Sequence, residues 1–233
     1  MSDGLRLDWC SYQAARYAVE HWHYSRTMPR CPTARVGVWE GEHFVGAVIF
    51  GMGAGRATDG RRFGLAQYFE VAELVRVALR EHQAPTSRIV AVGLKLLRKQ
   101  SPRLRLLISY ADPRQGHIGT LYAALGWWYV GDTEPSKLYI DKAGHEHHPR
   151  HVSPRGWKRH YGKPQRALRP QDAREVVRLP GKHCYIKPLD VETAIRLQPL
   201  RKPHPRRAGS IAVDAPSAQD GEGGSSPTPA LQT

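Results

Sequence analysis

Leu106–Gly131, LLISYADPRQGHIGTLYAALGWWYVG, constrains the fold of this chain more than any other stretch. An apolar run of strand length ends in Ser109, Tyr110 and Asp112 and passes into a polar turn. A short amphipathic segment and a second, aromatic apolar run follow. This order predicts a strand over 104–110, a helix over 117–125 and a returning strand over 127–130. The ends of such strands are where α/β sheets place ligands. Tyr110, Asp112, His117 and Tyr122 concentrate oxygen and nitrogen donors there.

The flanking segments extend this unit into a layer. Ser11 is placed to cap a helix over 12–22 that buries Ala14, Ala15, Ala18 and Trp22 and runs into His23-Tyr24. Two apolar runs at 35–39 and 44–50, separated by Glu40-Gly41-Glu42, read as an antiparallel hairpin, and 69–79 as a further strand. Pro85-Thr86-Ser87 opens a helix over 87–100 with a stripe of Ile89, Val92, Leu96 and Leu97, stopped by Ser101-Pro102. A last strand covers 137–140. Hairpins followed by βαβ units predict a mixed α/β sheet flanked by helices.

Charge separates the chain into parts. Residues 142–207 carry 17 Lys and Arg against five acidic residues, whereas residues 1–141 carry 18 against 13. A basic extension is the footprint of a polyanion binder, and a solvated basic face is the plain alternative. Within it, Arg150, Arg155, Lys158, Arg159 and Lys163 alternate with Trp157 and Tyr161, a surface for phosphates and stacked bases. Ser153-Pro154 is read as opening a short basic helix, and 176–186 as two strands about a Pro-Gly turn. The expected organisation is a sheet domain over 1–141, a basic extension for a polyanion over 142–197 and a disordered tail over 198–233.

Three scattered cysteines, Cys10, Cys31 and Cys184, give neither a disulfide framework nor a zinc knuckle. The N-terminus lacks a signal-peptide pattern and no run reaches the ~20 apolar residues of a membrane span. A cytoplasmic protein with no membrane partner is expected. The histidines His145, His147, His148 and His151 read as a basic strip, since Pro149 interrupts any helix that would align them on a metal.

Four blocks carry a family resemblance: His23-Tyr24; Glu73-Leu74 with Arg76; Ser87-Arg88; and Ser109-Tyr110-Ala111-Asp112 with Gly116-His117, Gly119 and Tyr122. In order and spacing they resemble the bacteriophage Mom family of DNA-modification proteins, and the late helix resembles the acetyltransferase-like (GNAT-type) fold. The resemblance covers about residues 10–140. It implies conversion of the N6 amine of adenine in double-stranded DNA to a carbamoylmethyl amine, which protects the DNA from restriction. It also implies iron, and acetyl-CoA or another small-molecule donor. Carried over residue by residue, it makes His23, Tyr24, Asp112 and Tyr122 the catalytic and metal-ligating set. Arg76, Ser87 and Arg88 are placed against the donor, with Glu73 or Glu70 as an alternative ion-pair partner for Arg76. An ordinary N-acetyltransferase and a non-catalytic nucleic-acid-binding module are the alternatives. The turn Gln83–Arg88 lacks the Gly-x-Gly of acyl-CoA sites. A carbamoylmethyl group also bonds through its methylene, which plain acyl transfer does not achieve.

Overall fold

A computed structural model describes residues 4–29, 31–52, 60–65, 70–160 and 162–206. In chain order the strands are β1 (Leu5–Trp9), β2 (Pro32–Glu40), β3 (His43–Gly51), β4 (Val71–Leu79), β5 (Leu106–Ala111), β6 (Trp128–Asp132), β7 (Ser136–Ile140), β8 (Glu146–His147), β9 (Trp157–His160), β10 (Lys163–Arg166), β11 (Glu175–Leu179) and β12 (His183–Pro188). The helices are α1 (Tyr12–Trp22), α2 (Thr86–Gln100), α3 (Thr120–Ala124) and α4 (Val191–Leu197). Seven strands form one sheet in the order β1-β2-β3-β4-β5-β12-β6, in which only β4 and β5 pair in parallel. The mixed α/β layer is as expected. Among the described residues no helix is long and apolar enough to cross a membrane, and all three cysteines are free.

Periodicity explains the layers. β3 is buried on both faces: Val48 and Phe50 meet Ile89, Val90 and Leu97 of α2, while Ala47 and Ile49 meet Ala15, Ala18 and Val19 of α1. The alanines on both sides let α1 lie close to the sheet. Ser11 Oγ accepts from Ala14 N at 3.1 Å, as its position before the helix requires.

Three expectations are corrected. Residue 141 does not end the sheet, because β12 inserts between β5 and β6 and runs antiparallel to both. The two strands expected about the Pro-Gly turn are present, at 175–179 and 183–188, and go to different sheets, β11 pairing with β7 in a separate three-stranded sheet. The basic helix expected after Pro154 is instead a two-stranded ribbon of β9 and β10. Positive φ at Gly156 (+73°) and Gly162 (+76°) breaks any helix and favours the turns of a ribbon. The tail is fixed as far as Arg206: Lys202 N donates to Tyr129 O at 2.8 Å, and His204 stacks on Tyr185. Residues 207–233 lie outside the described residues.

Asp190 ties the extension to the sheet. Its carboxylate caps α4, accepting from Thr193 N at 2.8 Å, and takes both Nε and Nη2 of Arg105 at 3.1 Å. Loss of a cap together with a bidentate pair costs about 1–2 kcal/mol. Asp190→Ala therefore lowers the melting temperature by about 3–6 °C, measurable by differential scanning calorimetry.

Candidate active site

The parallel pairing of β4 with β5 is brief. Val71, Ala72 and Glu73 lie opposite Leu106, Leu107 and Ile108, after which the two strands continue without pairing to each other. A cavity of about 530 Å³ opens at this split, lined by Leu74–Val77 of β4, Tyr110 and Ala111 of β5, Trp22–Tyr24 at the end of α1, Thr86, and Gly116–Tyr122. A cleft at the carboxyl ends of parallel strands is a standard ligand position.

A bulge in β4 directs the side chains. Its register with β3 passes from Arg76↔Ile49 to Leu74↔Phe50, leaving Val75 extra. Leu74 and Val77 thus share the α2 face, and Glu73 and Arg76 share the other. Arg76 donates from Nη1 to Val75 O at 2.8 Å, and its buried Nε has no partner. It forms no ion pair with Glu73 or Glu70; Glu70 reaches Arg105 at 3.8 Å instead. Burial pushes the Glu73 carboxyl up to about 7 against the opposing pull of Arg76 and Lys182.

Tyr122 enters from the opposite face and closes the split. Ser109 Oγ donates its one proton to Leu74 O at 2.7 Å, so the 2.7 Å contact between Tyr122 OH and Ser109 Oγ has the phenol as donor. This chain bridges the two diverging strands. Burial raises the Tyr122 phenol to about 12, with Ser109 opposing. Tyr185 supports it from behind, stacked at 4.8 Å, and donates to Ile118 O at 2.6 Å.

Gly119 lies in the left-handed region (φ +80°), and a Cβ there would run into the Tyr185 ring. Gly119→Ala consequently costs about 2–4 kcal/mol in denaturant unfolding. A cost below about 0.5 kcal/mol, the scale of an ordinary surface change, would show that Tyr185 does not hold this turn.

His23 stands at the other wall. Ser25 N donates to its Nδ1 at 3.1 Å, so the proton of the neutral ring sits on Nε2. Burial, then Arg76 and His117, hold its pKa down to about 4. The Tyr24 ring lies 4.3 Å from that of His23 and 5.6 Å from that of His117, and is 49% exposed at the mouth.

His23, Tyr24, Tyr122 and Arg76 thus line one cavity. Asp112 does not: its Oδ2 pairs with Lys182 Nζ at 3.2 Å and its Oδ1 accepts from Arg114 N at 3.1 Å. Ser87 and Arg88 sit in the first turn of α2, where their neighbour Thr86 reaches the lining and they do not. Sequence reading placed Trp22 on the buried side of α1 and Thr86 at the start of α2 without assigning either to the cavity, and missed the Val75 bulge, which leaves no local signal.

The family resemblance implies iron on His23, Tyr24, Asp112 and Tyr122, and the structure does not bring the four together, since Asp112 lies outside the cavity lining. Tyr122 donates its hydroxyl proton to Ser109 Oγ, Nδ1 of His23 accepts from Ser25 N, and the Asp112 carboxylate pairs with Lys182. Among the described residues no three His, Cys, Asp or Glu side chains group as metal ligands. His145 and His147 instead both bond the Asp141 carboxylate, at 3.3 and 2.8 Å.

Comparison with known proteins decides the family. The model of the Mom protein family matches residues 4–206. This chain belongs to the Mom protein family. A relative is "Methylcarbamoylase mom" of Escherichia phage Mu, 28% identical over 199 residues, covering 84% of this chain and 80% of the relative. The Mom match runs beyond residue 141 through β12 to Arg206, in keeping with the insertion of that strand into the sheet.

Proposed function

We propose that this chain is a DNA-modifying enzyme that places a carbamoylmethyl group on N6 of adenine, on an acetyltransferase-like fold, with the reaction in the cavity between β4 and β5. The observation that carries this reading is the family match over 4–206, which takes in the lining of that cavity and the basic extension together. The early end of the β4–β5 pairing and the insertion of β12 support the acetyltransferase-like reading of the sheet.

Chemistry on a base inside a duplex requires the base to leave the stack. The exposed Tyr24 and the His117 ring at the cavity mouth offer aromatic surfaces to such a base. Within, the Nε2–H of His23 is placed to donate to a ring nitrogen or carbonyl, and Arg76 to an anionic group. Bond formation at N6 releases one amine proton, and Tyr122, already a donor and raised in pKa, is not its acceptor.

The ribbon of β9 and β10 supports duplex DNA as partner. Lys158 and Arg159 on β9, Lys163 on β10 and Arg155 in the preceding turn are in no ion pair with other described residues, and Trp157 is 47% exposed. Arg150 lies in a short 3-10 turn, its Nε 3.3 Å from His148 Nδ1. A two-stranded ribbon fits a major groove, and free cations position phosphates without reading sequence. Plasmid from cells expressing the protein should resist restriction enzymes whose sites contain adenine and be cut normally at sites without it. Equal cutting at both kinds of site would refute the reading.

A further inference from the structure

The turn between β4 and α2 is where an acyl-CoA pyrophosphate would bind on backbone N–H groups in an acetyltransferase-like fold. In this chain the first two of those groups, on Gln83 and Ala84, are taken. Gln83 N donates to both carboxylate oxygens of Glu40, at 2.9 and 3.0 Å, and Ala84 N donates to Oε1 at 2.8 Å. Glu40 ends β2, more than forty residues away in sequence, so this is a tertiary arrangement and not a local cap. The hydroxyl of Thr86, the first residue of α2, is likewise held by His82 Nε2 at 3.1 Å.

The cavity itself has the opposite character. Its lining contains Arg76, His23 and His117 and no aspartate or glutamate. Arg76 has a buried Nε without a partner, and only Nη1 is committed to the protein backbone. A guanidinium beside two imidazoles, with no carboxylate in the wall, is a receptor for an oxyanion.

We propose that the donor is held by a carboxylate or phosphate on Arg76 inside the cavity, and not by a pyrophosphate on the β4–α2 turn, where the Glu40 carboxylate already accepts from Gln83 N and Ala84 N and repels a second anion. This rests on the proposed function for the word donor, while the anion site itself does not depend on any reaction. The two sources of such an anion, a small-molecule donor and the DNA backbone, share one chemistry and are told apart by competition.

The experiment is a titration of the full chain with inorganic phosphate, acetate and acetyl-CoA, followed by NMR of the His23 and His117 rings and of the amides from Gln83 to Arg88. Phosphate and acetate are expected to shift both rings and leave the amides of Gln83 and Ala84 in place. Arg76→Gln should weaken phosphate binding at least tenfold, Arg76→Lys should recover part of it, and Glu40→Gln should leave it unchanged. Saturating duplex should not displace the phosphate. Acetyl-CoA that shifts the Gln83 and Ala84 amides, phosphate that ignores the rings, or competition by duplex would each overturn the assignment. Modification of DNA is scored separately: an anion site in a protein that leaves adenine unchanged would fail the functional reading, and modification without the site would fail this one.

Discussion

Replacing Glu73 with glutamine raises the melting temperature at pH 8 by about 5–10 °C and leaves it nearly unchanged at pH 5. The carboxyl is largely buried, and its pKa is pushed from 4.5 up to about 7, with Arg76 and Lys182 only partly offsetting the loss of solvent. Between those two values the folded chain holds a proton that the unfolded chain has released. Stability therefore falls as pH rises through this window, because the unfolded state binds fewer protons. Above it, the native state carries a desolvated charge worth about 3 kcal/mol. Glutamine resembles the protonated acid in shape and polarity, so it removes this burden at pH 8 and changes little at pH 5. Thermal melts of both proteins at the two pH values decide it. A wild-type protein more stable than the variant at pH 8 would mean that the carboxylate is held in a favourable ion pair.

The second large effect concerns His23. His23→Ala should lower adenine modification by at least about 10²-fold, the scale of a lost positioned proton donor. His23→Gln, whose amide can present an N–H near the position of Nε2, should retain activity to within about tenfold. The distinction follows from the tautomer: Ser25 N donates to Nδ1, which leaves Nε2 as the proton-bearing atom. A metal ligand would need the lone pair there, and glutamine would then fail as alanine does. With a pKa near 4 the ring stays neutral from pH 5 to 8. Activity in that range should show no inflection from this residue. Because the unfolded ring protonates near 6.5 and the folded one near 4, His23 takes away stability as pH falls between those values.

Much of the sheet was legible because its signals are local. Ser11 before an alanine-rich stripe, the Glu-Gly-Glu turn between two apolar runs and the Ile89–Leu97 stripe fix α1, the β2–β3 hairpin and α2 by periodicity alone. β1 was missed although Leu5, Leu7 and Trp9 alternate with Arg6 and Asp8, because a five-residue edge strand, only partly buried, carries a short signal. The place of β12 was not legible at all: an antiparallel strand can pair beside any neighbour, and nothing in HCYIKP names β5 and β6. In the site, the spacing of Ser109 and Tyr122 along a strand–turn–helix unit put both at one corner, as found. Asp112 was read with them because it ends the same strand. Its side chain is instead drawn to Lys182, which reaches it only because β12 lies alongside.

The most direct test of the central claim is mass spectrometry of nucleosides from DNA incubated with the protein, its Tyr122→Phe and His23→Ala variants, and no protein. A deoxyadenosine heavier by one carbamoylmethyl group, formed by the wild type and strongly reduced in both variants, is the predicted result. Unchanged deoxyadenosine with the wild type, or undiminished product from both variants, would contradict the placement of this reaction between β4 and β5.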